Sequence, residues 1–438
     1  MEHTRAQRLI PLFSALSLAA LAACGTSNNS SSGGSSSGGG TDLSGCSGAV
    51  TVASDLPTSG GDAAIGGGTE KGVKLAVDQA NSSKLLGGCT ITYVAKDDAS
   101  VAKGKHDPDQ GARNMTELAN NAAVVGVVGP FNSGVAVREM PISSAAGLVQ
   151  ISPSNTDPGL TIVASDPDID TASLHKDPTG RIDYFRIISN DVVQAQIMAN
   201  YSVKTLGLKK IYDISDNETY GKDLSNYYDK DIAALGATII KRDDTSTFDR
   251  EKFKSLLTGV QSQSPDGVFY GGVASNGSGV LKLAMQDVGL NAYFLSGDGT
   301  VDPQYFKDAG AAGSTKAFAS SAPDATNLPS AGKFNTDYKA AYNSDPVAYS
   351  AYGYDCMNIL LAAVKNVLLA NGGKIPADPA SFRSKVAAAV AATDYNGAIG
   401  HTKFDTLGDT LNHSFSIYAP GTGSDGKPAW VGKETVSG

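Results

Sequence analysis

Hydroxyl side chains collect at two turns within residues 126–161, GVVGPFNSGVAVREMPISSAAGLVQISPSNTDPGLT: Ser133 in the first, and Ser152, Ser154 and Thr156 in the second. Serine and threonine hydroxyls beside free backbone N–H groups suit a carboxylate or another small polar group. Each turn follows a short apolar run, 124–128 and 148–151, and a helix-length segment lies between them. The pattern is strand–helix–strand, with both strands ending in hydroxyl-bearing turns. Open parallel sheets bind ligands in the crevice outside the carboxyl ends of their strands, so the segment reads as half of a binding site. The competing reading makes Ser133 and Thr156 helix caps.

Other chemistries find no pattern. None of the Gly-Lys pairs at Gly104, Gly221, Gly332, Gly373, Gly426 and Gly432 precedes Ser or Thr, as a phosphate-binding loop requires. Gly66, Gly68 and Gly72 approach a dinucleotide fingerprint with the last spacing wrong, and are expected to let the backbone turn tightly ahead of the first helix. The five histidines (His3, His106, His175, His401 and His413) lack paired metal-ligand spacing, and there is no Gly-x-Ser-x-Gly elbow. Asp166, Asp168, Asp170 and Asp177 match the acidic positions of a calcium loop, yet Thr171 replaces the required Gly and Asp177 the bidentate Glu. They read as a solvated acidic loop inside a polar surface insertion, 162–181. No catalytic residue, metal or cofactor is expected.

The elements that would position these turns alternate strand and helix along the chain. Strands are predicted at 49–53, 90–95, 124–128, 148–151, 184–188, 210–214, 238–242, 267–270 and 292–295, with a closing hairpin at 415–418 and 429–433. Helices fall at 70–81, 109–121, 192–206, 221–235, 253–262, 279–288, 333–343, 354–370 and 379–393. In the helix 70–81, Val73, Ala76, Val77 and Ala80 share one face. Alternation of this kind implies doubly wound parallel sheets. The roughly 400 residues from Thr41 onward suffice for two domains.

The amino terminus reads as a targeting segment. Arg5 and Arg8 precede an apolar stretch, 9–23, that is too short to span a bilayer, and Leu21-Ala22-Ala23-Cys24 closes it. The closing box resembles the bacterial lipoprotein processing signal, which implies that Cys24 becomes the lipidated first residue; an ordinary signal peptide or a signal anchor is the alternative. Residues 25–40 have the Ser/Gly composition of a flexible leash. No later run is expected to span a membrane. A net charge of −9 argues against nucleic acid and anionic lipid as partners. Cys46 and Cys89 sit at the starts of two strands that, if adjacent and in register, bring them together as a disulfide; two independent buried thiols are the alternative. Cys356, within an apolar helix, reads as a buried hydrophobe.

Further motifs are Ser59-Gly60, Lys96-Asp97-Asp98-Ala99, Gly129-Pro130-Phe131-Asn132-Ser133, Ile151-Ser152-Pro153-Ser154-Asn155-Thr156, Phe185-Arg186, Tyr220-Gly221, Tyr270-Gly271-Gly272 and Tyr354-Asp355. In this order and spacing the chain resembles the type I periplasmic binding proteins, specifically the branched-chain amino acid substrate-binding family of ABC transporters, over residues 48–431. The resemblance implies two α/β lobes joined by three crossovers near Arg186, Ala322 and Gly400, with ligand held between them. It implies bounds of 1–23 for the signal peptide, 24–45 for the lipidated linker, 46–186 plus 322–400 for lobe one, and 187–321 plus 401–438 for lobe two. It also implies roles: Ser133 and Thr156, with backbone near Ser154, for a ligand carboxylate; Asp298 for its ammonium; Tyr220 and Tyr354 as cleft lining. Ile65 and Val273 stand where the family carries aromatic walls, and Asp298 is one methylene shorter than the family's Glu. The expected function is capture of an amino acid or a related small molecule outside the cell for ABC permease subunits, with the membrane reached only through the lipid anchor. A ligand-sensing receptor is the second reading and an extracellular hydrolase the third.

Overall fold

Two parallel sheets organise the residues that the structure, a computed structural model, describes: 42–325 and 328–438. Cys24 and the Ser/Gly leash lie outside the described residues. The first sheet has five parallel strands in the order Thr90–Asp97, Ala49–Leu56, Val124–Val128, Val149–Ser152 and Tyr184–Arg186. The runs Val124–Val128 and Val149–Ser152 are buried throughout, as strands covered on both faces must be. The second sheet has seven strands in the order Pro428–Ser437, Ser414–Thr422, Ala317–Ser321, Tyr293–Ser296, Gly267–Gly271, Lys210–Ser215 and Thr238–Asp244. Its first two strands are an antiparallel hairpin added to a parallel set. The expected α/β class holds.

The chain passes between the sheets three times: after Arg186, after Ser321 and after Lys403. The middle passage sends helices Gly332–Tyr342, Ser350–Ala370 and Pro379–Ala391 back onto the first sheet and its helix Ala63–Ser82. The first and third passages are tied together. Arg186, fully buried, donates from Nε and Nη2 to Asp409 Oδ1 and Oδ2 at 2.7 and 2.9 Å, and Nη1 donates to the Asp157 carbonyl at 2.6 Å.

Four expectations change. The strand Ala317–Ser321, central to the second sheet, has no β-branched residue and gave no periodic signal; the hairpins at 99–106 and 394–403 were equally silent. Gly66 and Gly72 do not form a turn. They lie inside the helix Ala63–Ser82, where a Cβ would come within 2.0 Å of the Pro57 carbonyl oxygen and 2.0 Å of the Ser350 carbonyl oxygen. They allow close packing, and this is why the helix begins earlier than its apolar face suggests. The acidic loop is not uniformly solvated: Asp166 turns inward and Asp177 is held by Thr179 and Arg181. Finally, Ser350–Ala370 is by length and composition apolar enough to cross a membrane, but its apolar residues are packed in the core.

Register explains the cysteines. Ala49 pairs with Thr90 in adjacent parallel strands, so the residues just before them meet, and Cys46 and Cys89 form a disulfide with a Cα–Cα distance of 5.0 Å. Cys356 is free and buried, as expected.

Candidate functional site

The two hydroxyl-bearing turns are stitched to each other. The Ser152 hydroxyl donates to the Pro130 carbonyl at 2.7 Å and accepts from Asn155 N–H at 2.9 Å. The Ser154 hydroxyl and the Asn155 amide both donate to the Phe131 carbonyl at 2.8 Å. The Ser154 side chain is therefore spent on structure, and its backbone N–H is directed at the Ser152 hydroxyl at 3.3 Å. Ser133 is the first residue of the helix Ser133–Ala145, where early N–H groups lack intrahelical carbonyls and the helix dipole favours an anion. The helix-cap reading fails for both hydroxyls. Asn132 is the capping position of that helix, and Asp157, not Thr156, caps the following 3-10 turn by accepting from Gly159 N–H.

Facing residues come from the second sheet. The strand Tyr293–Ser296 ends at Gly297, beyond which Asp298 is buried and accepts three hydrogen bonds: from Gln194 Nε2 at 2.9 Å and Tyr220 at 2.8 Å on Oδ1, and from Tyr349 at 2.5 Å on Oδ2. Gly297 makes room for this, because a Cβ there would lie 2.4 Å from the Tyr220 hydroxyl oxygen. Burial raises the Asp298 carboxyl above its ordinary range, against the hydrogen bonds from Tyr349, Gln194 and Tyr220. Tyr349 also meets Phe131 of the first hydroxyl turn edge-on, with ring centroids 5.2 Å apart.

Asp191 is a site residue that sequence reasoning missed. Its N–H donates to the Thr156 carbonyl at 2.8 Å, and its carboxylate is fully buried with neither oxygen hydrogen-bonded among the described residues. Burial pushes it well above the usual carboxylate range; the charges of Asp298, Asp223 and Asp157 add to this, and the Thr156 hydroxyl opposes it. Its signal was an acid opening a helix just after Phe185-Arg186. Gln194 and Tyr349 were missed as well, since neither type in isolation suggests a site.

Of the residues singled out, the structure gathers Ser133, Tyr220 and Val273 on one cavity of ≈ 600 Å³. Thr156 accepts from the Asp191 N–H, and the Asp191 carboxylate lies close enough to feel the charge of Asp298. Ile65 instead lines a second cavity of ≈ 550 Å³ with Val301, Phe306, Tyr418 and Trp430. Tyr354 is not brought to the group: its hydroxyl donates to Gln79 Oε1 at 2.7 Å and its ring packs on Phe334, beside the helix Ala63–Ser82.

A charged network borders the cavity that Ser133 lines. From the first half, His106 places Nδ1 2.7 Å from Asp62 Oδ2 and Nε2 2.9 Å from Glu218 Oε2 in the second half. Lys105 also reaches across to Glu218 and Asn276. Burial alone would lower the His106 imidazole, but the charge and hydrogen bonds of Asp62 and Glu218 push it up to about 10. Against their own burial, Asp62 and Glu218 are held down to about 2, chiefly by His106.

The family model described as "Periplasmic binding protein" matches residues 49–425. The Leu/Ile/Val-binding protein BraC3 of Rhizobium johnstonii is 27% identical over 370 residues, covering 84% of this chain and 91% of that protein. Among solved structures, the leucine-binding protein LivK of Thermotoga maritima superposes with a TM-score of 0.72 at 22% identity, covering 89% of this chain and 99% of that one. An ABC-transporter solute-binding protein of R. palustris in complex with 4-hydroxybenzoate gives the same TM-score at 18% identity, covering 89% and 97%. These structures share the fold.

Proposed function

Because the chain belongs to the periplasmic binding protein family, we propose that it captures an amino acid or amino-acid-like molecule outside the cytoplasm and presents it to an ABC permease. One observation carries this reading: a pair of turns bearing the Ser133 and Thr156 hydroxyls faces the buried Asp298 of the second sheet, bridged to it by Tyr349, with Asp191 beside Thr156. A zwitterion needs donors at one end and an anion at the other. The ligand carboxylate would take the Ser133 and Thr156 hydroxyls and the free N–H groups. Its ammonium would lie beside Asp298, which already accepts three bonds, with Asp191 the further acid whose charge bears on this end. Tyr220 orients Asp298, while Val273 offers a smaller wall than an aromatic residue would.

In this reading residues 46–186 plus 322–400 form lobe one, and 187–321 plus 401–438 form lobe two. A ligand that bridges them favours the closed form only by as much as it binds that form better. The name of the Rhizobium relative supports a small aliphatic amino acid, and Cys24 is the proposed lipid anchor. No step of bond-making is assigned to the protein.

The test is a thermal-shift screen of the mature protein against amino acids, small amides and aromatic acids, since saturating ligand raises the melting temperature by mass action. Amino acids should raise it. Hits confined to carboxylic acids lacking an ammonium group would overturn the zwitterion reading. Cys24→Ser should move the protein out of the membrane fraction, and continued membrane association would remove the anchor.

A further inference from the structure

A second group of acids lies where the two halves of the fold meet. Asp157 follows the second hydroxyl turn, Asp166 comes from the 162–181 insertion, and Asp223 from the helix Thr219–Ala234 on the second sheet. One carboxylate oxygen from each lies within 4.8 Å of the others, and all three residues are buried. Oxygens on opposite sides of a calcium ion stand about 4.6–5.2 Å apart, given bonds of 2.3–2.6 Å, so three atoms so spaced fit around one ion.

Among the described residues no lysine or arginine forms an ion pair with these three carboxylates; the charges of Arg186 and Arg242 reach Asp157 and Asp223 without pairing. Arg186 spends its guanidinium on Asp409, Thr161 and the Asp157 carbonyl. Lys222 pairs with Asp168. Arg242 is shared by Asp244, Asp229 and Asp213. Asp157 Oδ2 and both oxygens of Asp223 have no hydrogen-bond partner among the described residues. Asp191, outside the trio, is a separate fully buried carboxylate with both oxygens unpartnered, and the charges of Asp223 and Asp157 bear directly on it. Three buried carboxylates this close together, with oxygens that no hydrogen bond satisfies, call for a counter-ion.

We infer that Asp157, Asp166 and Asp223 hold an oxygen-preferring divalent cation of the calcium class, clasped between the two halves of the fold. The donors are all hard carboxylate oxygens, with no imidazole or thiolate, which disfavours zinc and copper. The spacing admits calcium more readily than magnesium, which demands bonds of 2.0–2.1 Å in near-ideal octahedral geometry. Because Asp223 approaches from the second sheet and Asp157 from the first, the ion bridges the halves. The site stands whether or not the cleft takes an amino acid.

The test is calorimetric titration of calcium chloride into the EDTA-stripped full-length chain, paired with melting curves in EDTA and in saturating calcium. One site with a Kd of about 10⁻⁶–10⁻³ M is expected, with a melting temperature raised by about 2–4 °C. Asp223→Asn and, separately, Asp166→Asn should abolish both signals while keeping a cooperative melt. No heat up to about 10 mM calcium, or binding retained in both variants, overturns the proposal. In the latter case the ion belongs to the other buried carboxylate group, Asp55, Asp98 and Glu139. Magnesium matching calcium in affinity would overturn the assignment to the calcium class.

Discussion

Tyr349 touches both banks of the cleft: its hydroxyl donates to Asp298 Oδ2 at 2.5 Å while its ring meets Phe131 edge-on. It precedes the long helix Ser350–Ala370, which belongs to the first half, yet its hydroxyl ends on an acid of the second. Tyr349→Phe keeps the ring and removes the donor from a buried acceptor, a loss of about 1–3 kcal/mol. Solute affinity should fall about tenfold. Tyr354→Phe, which unlinks only Gln79, should leave affinity within about twofold; calorimetry of the two variants side by side separates the roles.

Asp298→Asn keeps the shape of the side chain and removes its charge. A desolvated charge-assisted contact is worth about 1.5–3 kcal/mol, so binding of an α-amino acid should weaken by at least about tenfold. Asp191→Asn should act in the same direction. Unchanged affinity in both would take the ammonium away from this end of the cleft.

Glu218 faces Lys105 and His106 across the gap, and its removal should have a definite pH signature. His106 is pushed up to about 10, so its contribution is present in full below its unfolded value near 6.5 and fades as the pH rises toward 10. Asp62 and Glu218 are held down to about 2, so theirs is present above about 4.5 and lost as the pH falls toward 2. The network is strongest between about pH 4.5 and 6.5. Glu218→Gln should therefore cost more stability at pH 6 than at pH 10, read as urea midpoints at the two values. An equal cost at both would show that the ion contacts do not act as a unit.

Cys46→Ser with Cys89→Ser should lower stability by about 3–4 kcal/mol, because the disulfide closes a loop with a sequence separation of 43 residues. Denaturant midpoints measure this, and non-reducing peptide mapping should find Cys46 linked to Cys89 and Cys356 free.

Much of the fold was legible because its strands are short apolar runs with glycine-rich stops, as at Val124–Val128, and its helices carry an apolar face, as at Val73, Ala76, Val77 and Ala80. Ala317–Ser321 was not legible, since small residues buried between neighbours carry no period of their own. In the candidate site, Ser133 and Thr156 announced themselves by hydroxyls at strand ends. Asp191, Gln194 and Tyr349 did not, because their importance comes from a convergence on Asp298 and Thr156 that joins residues far apart in sequence, 104 positions for Gln194 and 51 for Tyr349. Asp166 was misread for the same reason: its neighbours in sequence are solvated, while its partners in space, Asp157 and Asp223, are not.

Arg186 and Asp409 bind the first and third passages between the sheets with a two-pronged, buried contact. In the two-lobed reading proposed above, a joint pinned there would act as the fulcrum of a lever, and small angular play at the pin would become a wide stroke at the far rim, where Lys105 and His106 meet Glu218. Asp409→Asn, which touches no proposed solute contact directly, would loosen that pin and separate the mechanical output of such a lever from the chemistry of its cleft.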